Sequence, residues 1–109
     1  MKESLKKYAA EFLGTFVLVF AIKGIAQVPG IAGGISYLLV FGIIVSVGMS
    51  LGGHTGYAIN PARDLAPRCA HAVLPIAGKR DSGWSYSWIP VAGPIAGAAL
   101  AAALFLLVF

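Results

Sequence analysis

The sequence predicts an all-α membrane protein: three transmembrane helices plus one re-entrant half-helix. Three observations predict it. First, 59% of the 109 residues are hydrophobic and only 11% are charged, about half the charged fraction of an average soluble domain. Second, the apolar residues gather in three runs, from Leu5 or Tyr8 to Ile22, from Ile35 to Leu51, and from Trp88 to Phe109. At about 1.5 Å per helical residue, such runs suit a hydrocarbon core about 30 Å thick. Third, the stretch Gly56-Tyr57-Ala58-Ile59-Asn60-Pro61-Ala62-Arg63-Asp64 lies between two of these runs. It is too polar for another span and too compact for a plain loop.

The net charge of +4 comes from cations at the edges of the apolar runs, not interleaved with aromatic residues. That is how membrane-flanking charge is distributed, and no nucleic-acid partner is expected. The single Cys69 excludes an intramolecular disulfide and reads as packing. A basic start at Met1–Lys7 precedes an apolar run that is too long for a signal peptide and contains Glu11.

In chain order, residues 1–22 hold a solvated flank (Lys2, Glu3, Lys6, Lys7) and the first span. Glu11 sits inside that span, where a carboxylate needs a partner rather than lipid. Ala10 and Gly14 give the span a thin face for close helix contact. Residues 23–34 read as a turn region, marked by Gly24, Pro29, Gly30, Gly33 and Gly34. Residues 34–52 hold the second span, uncharged, with Gly42, Ser46 and Gly48 on a thin face. The glycines after Leu51 end that helix. His54 has no second ligand at a useful spacing, so it reads as a loop histidine, and no metal or cofactor is expected.

Asn60 is a good N-cap, and Pro61 falls at the first helical position, where its lack of an N–H costs nothing. A helix over 60–74 follows, stopped by Pro75 and Gly78. It is on the order of 20 Å long, half a membrane. Pro67 leaves the Arg63 carbonyl without a helical donor. Lys79 to Ser87 is a polar loop, and Trp84, Tyr86 and Trp88 form an interfacial aromatic belt. Residues 88–109 hold the last span, with a GxxxG face at Gly93 and Gly97. It ends at Phe109 without flanking Lys or Arg, the pattern of a truncated chain or a very short tail. The whole, 1–109, reads as one unit.

A helix starting at membrane depth is tolerated only where its end lines a cavity or packs in protein. Its first turn has unpaired N–H groups, and the macrodipole adds roughly half a positive charge there. The Asn60 side-chain oxygen is expected to accept from Ala62 or Arg63, which aims its NH₂ outward. Arg63 adds a rigid fork of donors. Gly56, Tyr57 and Ala58 supply carbonyl acceptors. Donors and acceptors in a row under a positive field suit water or a neutral hydroxylated solute and oppose cations. Asp64 favours the helix N-terminus and pairs with Arg68 four residues on. An enzyme is not expected: there is no Ser/His/Asp order at a strained turn, no metal spacing and no phosphate-cradling loop.

The stretch from Gly56 to Asp64 resembles the second Asn-Pro-Ala signature (here Asn60-Pro61-Ala62) of the major intrinsic proteins, the aquaporin and glycerol-facilitator family. The resemblance covers nearly the whole chain, read as the C-terminal half of that fold. It implies a multi-pass channel of the plasma membrane. Ala10 to Thr15 is similar to the family's Glu-containing motif, which implies that Glu11 is a buried acceptor for backbone N–H groups near Leu51 to Gly56. Asp64 after Arg63, then Arg68 and Pro90, resemble the glycerol-conducting branch. Gly48 and Tyr57 match selectivity-filter positions. Gly48 lacks the bulk that narrows water channels, and Tyr57 offers an aromatic face for a polyol.

The family's pore needs two half-helices, and this sequence carries one. A partner is therefore expected: a second copy in an antiparallel half-channel dimer, or a complementary half. A mainly water-conducting pore and a non-conducting fragment or modulatory subunit stay open. The lysines at Lys2, Lys6, Lys7 and Lys79 put the N-terminus inside the cell, whereas the family's second half starts outside.

Overall fold

The computed structural model describes residues 2–31 and 33–109. Among them the order is α1 (Lys2–Gln27), α2 (Gly34–Leu51), α3 (Pro61–Val73), a 3-10 turn at Trp84–Tyr86, and α4 (Ile89–Val108). Three helical segments are long and apolar enough to cross a membrane: α1, α2, and α4 with its leading 3-10 turn. At 13 residues, α3 is too short to cross.

The first helix runs past Ile22 to Gln27, through Lys23 and Gly24, which the sequence had assigned to a turn region. A lone glycine in a helix costs only about 1 kcal/mol. The real stop is Pro29, because its ring disfavours the α conformation at the preceding Val28. Gly30 and Gly33 then take positive φ in the turn, 81° and 59°.

The seam between α1 and α4 is the best-packed part of the molecule. Gly93 and Gly97 lie directly against α1. A Cβ on Gly93 would come within 2.8 Å of the Glu11 Cβ, and one on Gly97 would collide with the Phe12 carbonyl. Beside this close approach Tyr8, Phe12, Phe16 and Phe20 stack one turn apart, with ring centroids 6.0–6.5 Å apart. Trp88 covers one end of the ladder at 5.9 Å from Tyr8, and Phe105 meets Phe20 edge-on at the other. The α1–α2 contact is narrower and centres on Gly14, where a Cβ would lie 3.1 Å from Ile59 and 3.2 Å from Val47. Ala10 is buried on the same helix. Most of α2 remains exposed.

Candidate channel-lining site

The polar row begins where α2 ends. Gly56, Tyr57 and Ile59 all have positive φ, at 69°, 47° and 42°. Glycine adopts this freely, but a β-branched isoleucine does so at a cost of order 1–3 kcal/mol, and such residues persist only where surroundings over-determine them. The surroundings are named. Glu11, fully buried, accepts from the N–H of Ala58 at 3.0 Å and from the N–H of Ile59. Thr15, one turn further along α1, donates to the Ile59 carbonyl at 3.2 Å. The Ile59 side chain is buried against Gly14. The carboxylate thus holds residues 58–59, further along the chain than the 51–56 segment expected. The reason is that the segment from Gly52 to Gly56 closes its own turn, with Gly56 N–H donating to the Gly52 carbonyl at 2.7 Å.

The grip has a geometric consequence. In a trans peptide the N–H and the preceding C=O point in opposite directions. Drawing the Ala58 and Ile59 N–H groups onto α1 turns the Tyr57 and Ala58 carbonyls away from it. Among the described residues, no donor reaches the carbonyls of Gly56, Tyr57 or Ala58.

Asn60 caps α3 from an extended conformation, its Oδ1 accepting from Ala62 N–H at 2.8 Å. Pro61 follows at the helix start and Ala62 is exposed. The Asn60 amide nitrogen has no acceptor among the described residues. The Arg63 guanidinium lies 5.3 Å from the centre of the Tyr57 ring, a cation–π contact. The Tyr57 ring also lies against the end of α2: a Cβ on Gly48 would touch the ring at 3.4 Å, and one on the capping Gly52 at 3.0 Å. Gly48, Tyr57 and Arg63 therefore form one contiguous group. The tyrosine ring borders the position that a Gly48 side chain would take. Beside them an open apolar groove of about 270 Å³ is lined by Ile44, Val45, Gly48, Met49 and Tyr57.

Asp64 and Arg68 stand apart from this group. Arg68 takes Asp64 in a two-pronged pair, Nη2 to Oδ1 at 2.7 Å and Nε to Oδ2 at 2.9 Å, with both side chains largely buried. Its remaining nitrogen, Nη1, donates to the Ser82 and Gly83 carbonyls. Gly83 has φ 65°, and a Cβ there would press on Nη1 at 2.9 Å.

The sequence motif alone assigns no role to Thr15; its spacing of four from Glu11 is the available signal, since residues so spaced share a helix face. Tyr86 was read as part of the interfacial belt, yet its hydroxyl is buried, while Trp84 and Trp88 are 47% and 52% exposed. Arg68 and Lys7 approach its ring. Lys79 closes the far end of α3 by donating to the carbonyls of His71, Ala72 and Leu74, a favourable cation at a helix C-terminus.

Three membrane-length helices, with a short capped helix against α4, define a multi-pass all-α membrane protein. The chain belongs to the major intrinsic protein family, whose model matches residues 1–105. It is 54% identical over 106 residues to a probable glycerol uptake facilitator protein of Thermotoga maritima, covering 94% of this chain and 45% of that one. It is 55% identical over 98 residues to glycerol uptake facilitator protein 3 of Lactiplantibacillus plantarum, covering 90% and 40%. A glycerol uptake facilitator protein of Streptococcus pneumoniae is 51% identical over 105 residues, covering 96% and 44%. The chain thus spans less than half the length of the relatives it matches. No solved structure matches it.

Proposed function

We propose that this chain forms half of a passive pore of the plasma membrane, conducting glycerol and other small neutral solutes together with water. The observation that carries the reading is the row of unspent polar groups on one open face. Among the described residues, the Tyr57 and Ala58 carbonyls, the Asn60 side-chain nitrogen and the Arg63 guanidinium all lack hydrogen-bond partners, and they follow one another along the chain. A polyol matches this row beside an apolar groove: its hydroxyls take the polar groups, while its CH side lies on the ring of Tyr57. Asn60 and Arg63, with the macrodipole of α3, oppose cations. Gly48 and Gly52 seat the tyrosine ring and so fix the width of the passage.

An open polar row facing lipid would cost several kcal/mol for each unsatisfied group. The half-pore therefore closes against a second half-helix, from an antiparallel copy of this chain or from a complementary half. Liposomes carrying the protein, alone or together with a complementary half of a major intrinsic protein, are shrunk in a glycerol gradient and are expected to re-swell faster than empty ones in at least one of the two preparations; equal rates in both overturn the proposal. The ratio of glycerol to water flux separates a polyol pore from a mainly water-conducting one. An antiparallel pair further requires that cysteines placed in the Lys79–Ser87 loop be labelled from both sides of the membrane. Labelling from one side only excludes that pairing.

A further inference from the structure

Glu11 and Thr15 grip consecutive peptide units of the strained segment, and they grip them by opposite ends. Glu11 takes the N–H groups of Ala58 and Ile59, whereas Thr15 takes the Ile59 carbonyl. The first two units therefore turn their carbonyls, those of Tyr57 and Ala58, away from α1. The third unit is reversed. With the Ile59 carbonyl drawn in, the Asn60 main-chain N–H of the same peptide is turned out. Among the described residues, no acceptor reaches that N–H. Thr15 is only 5% exposed, so its hydroxyl proton is committed to this bond rather than shared with the surface.

We propose that Thr15 is a positioning residue that switches the row from acceptors to donors at Asn60, making the Asn60 main-chain N–H a solute donor beside the side-chain amide. The inference rests on the pore reading above and names its ligand more closely. A neutral solute with hydroxyls on neighbouring carbons gives one proton to the Ala58 carbonyl and accepts at Asn60 N–H with the next oxygen. Water makes either contact alone, but a vicinal diol spans both. Without the Thr15 hydroxyl the Ile59–Asn60 peptide is free to rotate, and the paired contact is lost while the single ones remain.

The test compares Thr15→Val, which keeps the branched shape but removes the donor, with Thr15→Ser, which keeps the donor. Each variant chain is reconstituted in liposomes, and water and glycerol fluxes are measured separately. Thr15→Val is expected to lower the glycerol-to-water flux ratio roughly fivefold, the equivalent of one neutral hydrogen bond. Thr15→Ser is expected to hold the wild-type ratio. An unchanged ratio in Thr15→Val overturns the inference, and so does an equal loss in Thr15→Ser. If circular dichroism shows that Thr15→Val does not fold, Thr15→Ala carries the same expectations. Wild-type liposomes no faster than empty ones, with or without a complementary half, overturn the pore reading and this inference with it. A conducting wild type with an indifferent Thr15→Val overturns this inference alone.

Discussion

Arg63 and Arg68 stand on the same short helix and have opposite fates. Every nitrogen of the Arg68 guanidinium is engaged, by the Asp64 carboxylate and by the carbonyls of Ser82 and Gly83, and its side chain is 11% exposed. The Arg63 side chain is exposed, its guanidinium makes no hydrogen bond among the described residues, and it lies over the Tyr57 ring. One arginine is spent on architecture and the other is kept unspent. The difference follows from the helix surface. Arg68 lies one turn after Asp64 and against the loop leading into α4, where carbonyls need donors. Arg63 lies beside the strained segment, where Glu11 takes the Ala58 and Ile59 N–H groups and no carboxylate is left over to pair with it among the described residues. A site that binds passing solutes has to leave donors without partners, and the rest of the fold supplies the rigidity that keeps them so.

The contrast is broken most severely at Arg68. Arg68→Met leaves Asp64 buried without its partner and leaves the Ser82 and Gly83 carbonyls without donors. Removing one member of such a pair is expected to cost about 3–5 kcal/mol, read as a fall in thermal unfolding temperature in detergent. Arg68→Lys keeps the charge but cannot reproduce the fork, and its unfolding temperature is expected between those of Arg68→Met and the wild type. Equal stability of the three proteins would mean that the Asp64–Arg68 pair carries no architectural load, and the comparison would fail.

The sequence made the two arginines only partly distinguishable. The Asp64–Arg68 pair was legible because residues four apart on a helix are neighbours, and Asn60-Pro61 marked where that helix begins. The three spans were legible from their apolar length. The end of α1 was misjudged because Gly24 was weighed as a breaker, although a helix absorbs one glycine and yields to Pro29. The target of Glu11 was misjudged by a few residues because it depends on how the loop after Leu51 coils before reaching α1. Nothing local in the sequence encodes that path. For the same reason the partners of Thr15 and of the Arg68 Nη1 are not legible: they lie 44 and 14–15 residues away in the chain. The seating of the Tyr57 ring on Gly48 was equally hidden. Both residues were singled out for width, but their contact is a property of the fold.

The smallest effect on stability, and the sharpest form of the contrast, is expected at Arg63. Arg63→Ala removes an exposed side chain that satisfies no buried group, so the unfolding free energy should stay within about 0.5 kcal/mol of wild type. The cation–π contact with Tyr57 is worth little at an exposed site, about 0.5–1 kcal/mol at most, and part of it is returned as the freed ring settles on Gly48 and Gly52. Function should respond in the other direction. The row loses its strongest donor and much of its positive field, so the glycerol-to-water flux ratio falls and the barrier to cations weakens. Measuring unfolding and flux on the same preparation separates the two. A large stability loss would place Arg63 with Arg68 among the architectural groups, whereas an unchanged flux ratio would remove it from the solute path.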